Sequence, residues 1–211
     1  MRTRARTSMA FLAALTLSAC AVGGHVSTMG QTFLPEMPGV DRQAAQRLID
    51  AEAPRIQVTL VDRGTTSLLV KDAERQGVSR WRTIDNTQIF TRDGIVVGTR
   101  GLSFDLMSAD TGDAAAAILA RRAARVVRFH TYLDGDDQTR IQSYVCDIVP
   151  EGQQDIHVSE SLALSGSMVR ETCYNPRGDH ENLYLLRDGH ILATVQFISR
   201  GIGSLQIVFF S

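Results

Sequence analysis

Any catalysis in this chain would have to come from its carboxylates, histidines and serines, and along the sequence these do not assemble into a complete set. Asp134-Gly135-Asp136-Asp137 gathers acidic groups that could hold Ca²⁺ weakly, yet no full calcium loop follows and an acidic hairpin tip accounts for them. Asp179-His180-Glu181 is polar enough for proton transfer, but it follows the turn sequence Asn175-Pro176-Arg177-Gly178 and reads as a solvated loop. The Arg177-Gly178-Asp179 adhesion tripeptide is common by chance. His25, His130, His157 and His190 share no ligand spacing, so no metal site is expected. Ser161, Ser165 and Ser167 lack the flanking glycines of a nucleophile elbow. A glycosidase needs two opposed carboxyl groups, and scattered ones show no pairing in one dimension. The expectation is a protein without catalytic residues and without a cofactor.

The N-terminus carries a more explicit signal. Arg2, Arg4 and Arg6 form a positive region, and Met9 to Ser18 supply an apolar stretch of about ten residues. That suits a secretory leader and falls short of the roughly 20 apolar residues needed to span a bilayer. Leu17-Ser18-Ala19-Cys20 resembles the lipobox of bacterial lipoproteins: small residues fit a narrow peptidase site and Cys20 offers a thiol for diacylglycerol. Each buried CH₂ contributes about 0.8 kcal/mol, so several acyl chains on Cys20 would anchor the chain to a membrane permanently. An ordinary leader with a chance cysteine is the alternative. Ala21, rather than Asp, matches the sorting rule for outer-membrane lipoproteins, with the domain facing the periplasm.

Three arginines of the leader leave 19 basic against 23 acidic residues, a mature formal charge of −4. Nucleic acid is therefore not an expected partner. With Cys20 given to lipid, Cys146 and Cys173 remain. Two thiols in an exported, oxidising compartment most often form one disulfide, worth roughly 3.5 kcal/mol on the loop-entropy estimate; two unpaired buried thiols are the alternative.

The elements that must position these groups are mostly strands. Residues 1–19 read as the leader, 20–39 as the lipidated cysteine and a tether rich in Gly, Ser, Thr, Met and Pro, and 40–211 as one β-rich domain. Asp41 caps a helix expected from Arg42 to Ala53, stopped by Pro54. The period then changes to two: Ile56, Val58 and Leu60 alternate with polar residues. Strands are expected at 67–71, 78–84, 87–91, 95–99, 126–133, 139–148, 156–164, 168–174, 183–186, 190–198 and 204–210. Arg92-Asp93-Gly94 and Arg187-Asp188-Gly189 mark hairpins. An alanine-rich helix is expected over 113–124, with Arg121, Arg122 and Arg125 near its C-terminal end. About ten short strands joined by Gly and Asp turns predict an antiparallel barrel or sandwich with one or two short helices.

Trp81 to Leu106 is more specific than generic β-sequence. Trp81, Gly94, Thr99-Arg100-Gly101-Leu102 and Asp105-Leu106 resemble the YjbF/GfcB family, lipoproteins encoded with exopolysaccharide and group 4 capsule genes. A second match runs through Glu171-Thr172-Cys173, Asn182, Tyr184 and Gln196, with Cys146 in the place of the family's earlier cysteine. The chain departs from the family where Leu185, Leu186 and Phe197 replace an aromatic-rich hairpin. The resemblance implies a lipid-anchored accessory protein of polysaccharide secretion or assembly, in contact with polysaccharide or another export component.

Read by themselves, the same residues have plainer roles. Trp81 is a core anchor before it is a sugar-stacking platform. Gly94 and Gly101 serve turns or bulges, and Arg100 with Asp105 would form a structural ion pair. Two function classes remain: a non-enzymatic accessory lipoprotein, and an envelope enzyme that modifies glycan through unassigned carboxylates. An open aromatic groove would favour the first, two facing carboxyl groups the second. A membrane-spanning barrel is disfavoured, because a lipid anchor would be redundant and several strands are too short.

Overall fold

A computed structural model describes residues 53–133, 138–159 and 162–210. The leader, Cys20, the tether, the helix expected from Arg42 and the Asp134–Asp137 loop lie outside these residues. In chain order the strands are β1 (Arg55–Leu60), β2 (Thr65–Arg75), β3 (Val78–Arg82), β4 (Gln88–Arg92), β5 (Ile95–Arg100), β6 (Leu106–Asp110), β7 (Ala124–Leu133), β8 (Thr139–Ser159), β9 (Leu162–Tyr174), β10 (His180–Arg187), β11 (His190–Ser199) and β12 (Gly203–Phe210). One helix, α1 (Gly112–Leu119), lies between β6 and β7, and a short 3₁₀ turn (Val61–Arg63) follows β1.

All ladders are antiparallel, and the strands form a single sheet in the order β5-β4-β3-β2-β1-β12-β11-β10-β9-β8-β7-β6. The sheet curls into a nearly closed barrel, so its two end strands, β5 and β6, meet. Their seam is made by side chains rather than a backbone ladder. Thr99 Oγ1 donates to Asp105 Oδ1 at 2.7 Å and accepts from the Leu106 amide at 2.9 Å.

Local sequence accounts for most of the hairpins. Asp93-Gly94 and Asp188-Gly189 both place two successive residues at positive φ, the primed turn whose twist matches paired strands. Gln76-Gly77 does the same between β2 and β3, without the Asp or Asn that usually announces it. β8 and β9 form one long hairpin in place of separate strands at 139–148 and 156–164. Its far half packs Ile156, Val158, Leu162 and Leu164 against the outward-facing Met168, Leu185, Ala193 and Val208. Gly166 permits that crossing, since a Cβ there would lie 2.5 Å from the Leu186 carbonyl oxygen.

Two expectations about α1 and its neighbours change. The helix ends at Leu119, and Arg121 adopts a positive φ of 50° beyond it. Arg125 belongs to β7 and faces Asp147 at 3.6 Å rather than serving a helix dipole. β6, hidden by its short length and mixed polarity, was not expected at all.

The barrel interior is a packed core. Ile56, Val58, Leu69, Ile89, Leu205 and Ile207 fill one side, with Trp81 buried among them and its Nε1 donating to Thr91 Oγ1 at 2.8 Å. α1 closes the end where β5, β7 and β11 begin: Ala114, Ala117 and Ile118 are buried against Ile95, Ile148, Leu186 and Ile191. Alanines let a helix enter a space that larger side chains would overfill. An interior packed with apolar side chains around one buried polar level, with ion pairs such as Arg80–Asp72 and Arg170–Glu151 elsewhere on the strands, differs from the water-filled polar lumen of a transmembrane barrel. The outward side of β7 and β8 nonetheless exposes Val127, Phe129, Ile141 and Val149. No helix among the described residues is long and apolar enough to cross a membrane.

Candidate functional site: the open end of the barrel

Between the plugged end and the open end, inward-facing polar residues form a belt across the barrel. Alternation puts Arg128 and His130 of β7, Glu171 of β9, and Asn182 and Tyr184 of β10 on the inner face. Glu171 is fully buried. Its Oε2 accepts from Arg128 Nη1 at 2.7 Å, Asn182 Nδ2 at 2.7 Å and Tyr184 Oη at 2.8 Å. Asn182 Oδ1 in turn accepts from the Phe197 amide at 2.8 Å. Burial works against the Arg128 charge, and Glu171 and Tyr184 together more than offset it. Burial and the same carboxylate hold the Tyr184 phenol well above its ordinary value. Three donors, one of them a cation, hold Glu171 Oε2 inside the barrel, while Oε1 is buried with no hydrogen-bond partner among the described residues.

Gln196 joins two parts of the barrel. Its Oε1 accepts from the Val96 amide at 2.9 Å and its Nε2 donates to the Gly94 carbonyl at 3.1 Å, tying β11 to the β4–β5 turn. Cys146 and Cys173 face each other in register across β8 and β9 and are joined by a disulfide beside Glu171. As a cystine they offer no thiolate to a metal.

Above the belt lies a layer of rings. His180 stacks on Phe197 with centroids 4.4 Å apart and meets Tyr144 edge-on at 4.7 Å; His130 lies 5.0 Å from Tyr144. The Tyr132 hydroxyl donates to the Ile198 carbonyl at 2.7 Å, so the 3.1 Å contact with His130 is donated by Nδ1–H. Burial, reinforced by Arg128, lowers His180 to about 4 and holds His130 well below its ordinary value. Both rings are neutral at neutral pH.

The layer opens into two adjoining clefts where β11 ends and β8 begins. One, of about 310 Å³, is bordered by Asp62, Asn175, Arg177, Asp179 and Arg200. The other, of about 240 Å³, is bordered by Phe104, Asp105, Tyr132 and Arg140. Gln142, Tyr144, Phe197 and Arg200 are common to both. Burial raises the Tyr144 phenol, and the Arg200, Arg128 and Arg177 guanidinium groups act against that rise.

The residues singled out in the sequence separate into three groups. Glu171, Asn182 and Tyr184 meet in the belt, and Gln196 reaches Gly94. Thr99, Gly101, Leu102 and Asp105 form a second constellation at the seam. There the Asp105 carboxylate accepts from Thr99 Oγ1 and from the Gly101 and Leu102 amides at 2.8 and 3.2 Å. Those bonds replace the expected pair with Arg100, whose guanidinium donates instead to the Thr99 carbonyl at 2.8 Å. Trp81 stands apart in the core, so it is no exposed platform.

His180, expected in a solvated loop, instead opens β10 and is half-buried. Arg128, His130, Tyr144, Phe197 and Arg200 gave no motif. Only the alternation of Arg128, His130 and Tyr132 on one strand could have flagged an inward polar row.

The family described as group 4 capsule polysaccharide lipoprotein gfcB, YjbF, matches residues 30–210. Among solved structures, the hypothetical lipoprotein YmcC from Escherichia coli (K12) has the same fold, with a TM-score of 0.67 and 16% identity. The match covers 84% of this chain and 98% of that one. No curated protein matches. The motif residues at the seam and in the belt, and the span of the match, lead to one conclusion: the chain belongs to the YjbF family of group 4 capsule polysaccharide lipoproteins.

Proposed function

We propose that this protein is a non-enzymatic accessory factor in secretion or assembly of an exopolysaccharide or capsule. It is anchored through lipid on Cys20, in the outer membrane and facing the periplasm, and it acts by contact with polysaccharide or another export component. The observation that carries this reading is the division of labour inside the barrel. The buried carboxylate, Glu171, is held by three donors, whereas the open end presents rings, amides and guanidinium groups around two clefts. Such a surface suits recognition.

One observation favours an enzyme as a second reading: Asp62 and Asp179 border the same cleft. The two readings separate in cells. Deleting the gene is expected to lower surface and secreted polysaccharide, and Cys20→Ser to lose lipid labelling and membrane partitioning and fail to restore output. Asp62→Asn and Asp179→Asn, each at normal abundance, are expected to give graded losses of a few-fold at most. Removing a general acid or base would cost about 10²–10⁴-fold. Either variant reproducing the deletion phenotype as a stable, correctly localised protein would establish the enzyme instead.

A further inference from the structure

In a chain with more acidic than basic residues, the open end holds two arginines that form no salt bridge with any described carboxylate. Among the described residues Arg177 and Arg200 make no ion pair, although Arg170, Arg80 and Arg128 all do. Both border the larger cleft, and both act on the Tyr144 phenol, so their charges converge on one wall. The Arg200 guanidinium lies close over Gly178, where a Cβ would come within 2.9 Å of its Nη2. A planar guanidinium fork recognises a carboxylate by two parallel hydrogen bonds, and two such forks bordering one cleft favour an anion over a neutral hydroxyl.

The adjoining cleft supplies the other half of a sugar site. Phe104 is 61% exposed, unusual for so large an apolar ring. It is not loose: its ring lies over Gly201, where a Cβ would come within 2.3 Å, and its carbonyl accepts from Ser199 Oγ at 2.8 Å. A pyranose ring presents an apolar C–H face that stacks on such a surface. Between the clefts, Gln142 spends its carbonyl on the Tyr144 hydroxyl and keeps its amide N–H groups for a ligand. Asp62 and Asp179 offer acceptors to sugar hydroxyls in the larger cleft.

We propose that the open end of the barrel binds an acidic glycan, with one sugar ring stacked on Phe104 and the carboxylate of a uronate unit held by Arg177 and Arg200. This deepens the reading that the domain works by contact, and rests on it. The probe is a short oligogalacturonate, compared with the same oligomer carboxyl-reduced to neutral oligogalactose. Each is titrated calorimetrically into the full-length protein purified from membranes in detergent.

The acidic oligomer is expected to bind, and the neutral one to bind at least about tenfold more weakly. Arg177→Gln with Arg200→Gln should bring the acidic oligomer down to the neutral level. Phe104→Ala should weaken both oligomers, and all variants should melt like the wild type because each altered side chain is exposed. No binding, equal binding of the two oligomers, or equal competition by inorganic phosphate would overturn the assignment. Suppose the double arginine variant lowers polysaccharide output although oligogalacturonate does not bind. The uronate assignment is then lost, while the contact reading survives on its own test.

Discussion

The two ends of the barrel are built from the same strands and filled in opposite ways. At one end α1 inserts Ala114, Ala117 and Ile118 among Ile95, Leu186 and Ile191, and water is excluded. At the other, Gln142 and Tyr144 near the start of β8, Phe197 of β11 and Arg200 just beyond it line two clefts that stay open. A twelve-stranded sheet encloses more space than strand side chains alone fill, so an inserted element must close one end or leave it open. The polar belt around Glu171 lies between them. It separates the apolar end from the ring layer beneath the open end through the Arg128–Glu171–Asn182–Tyr184 hydrogen bonds.

The strongest way to break that arrangement is to remove the belt's carboxylate. Glu171→Ala leaves Arg128 charged and almost fully buried with no counter-ion, and is expected to cost about 3–5 kcal/mol in chemical denaturation. Replacing Arg128 as well with Met should recover much of that loss, which a catalytic role for Glu171 would not predict.

A smaller effect tests the plug. Ile118→Ala empties a fully buried site and is expected to cost about 2–4 kcal/mol, with glycan binding at the open end unchanged in the protein that remains folded. If affinity falls in step with stability, the two ends are coupled and the separation drawn here fails.

The smallest effect concerns the ring layer. An ordinary histidine titrates near 6.5, but His180 in the folded protein does so at about 4, mainly because of burial. Between those values the unfolded chain takes up a proton that the folded one refuses. Stability is therefore full above about pH 6.5 and declines on acidification, by at most about 1.4 kcal/mol per pH unit from this group. Urea denaturation at about pH 7 and about pH 5 should show the decline, and His180→Gln should reduce its slope. An unchanged slope would mean that His180 is not sheltered by Phe197 and Tyr144.

Much of this was legible in one dimension. Ile56-x-Val58-x-Leu60 and the two Asp-Gly hairpins announced antiparallel strands because side-chain alternation and primed turns are local properties. The length of β8 and β9 was not legible, since a bent hairpin whose outer half covers another strand's face carries its own apolar residues and looks like two strands. β6 escaped notice because a five-residue strand closing a seam needs no strong period.

By itself the sequence determined the leader-like N-terminus, the strand-rich domain, the turn positions and the family resemblance, all of which rest on neighbouring residues and their order. Only the tertiary structure decided which inward polar groups share a level of the barrel. Arg128 and Glu171 are 43 positions apart, and Gln196 and Val96 are 100 apart. Period-two alternation says that such residues face inward or outward. Which of them meet depends on the order and register of strands around the whole sheet, and on a helix that fills one end and leaves the other open.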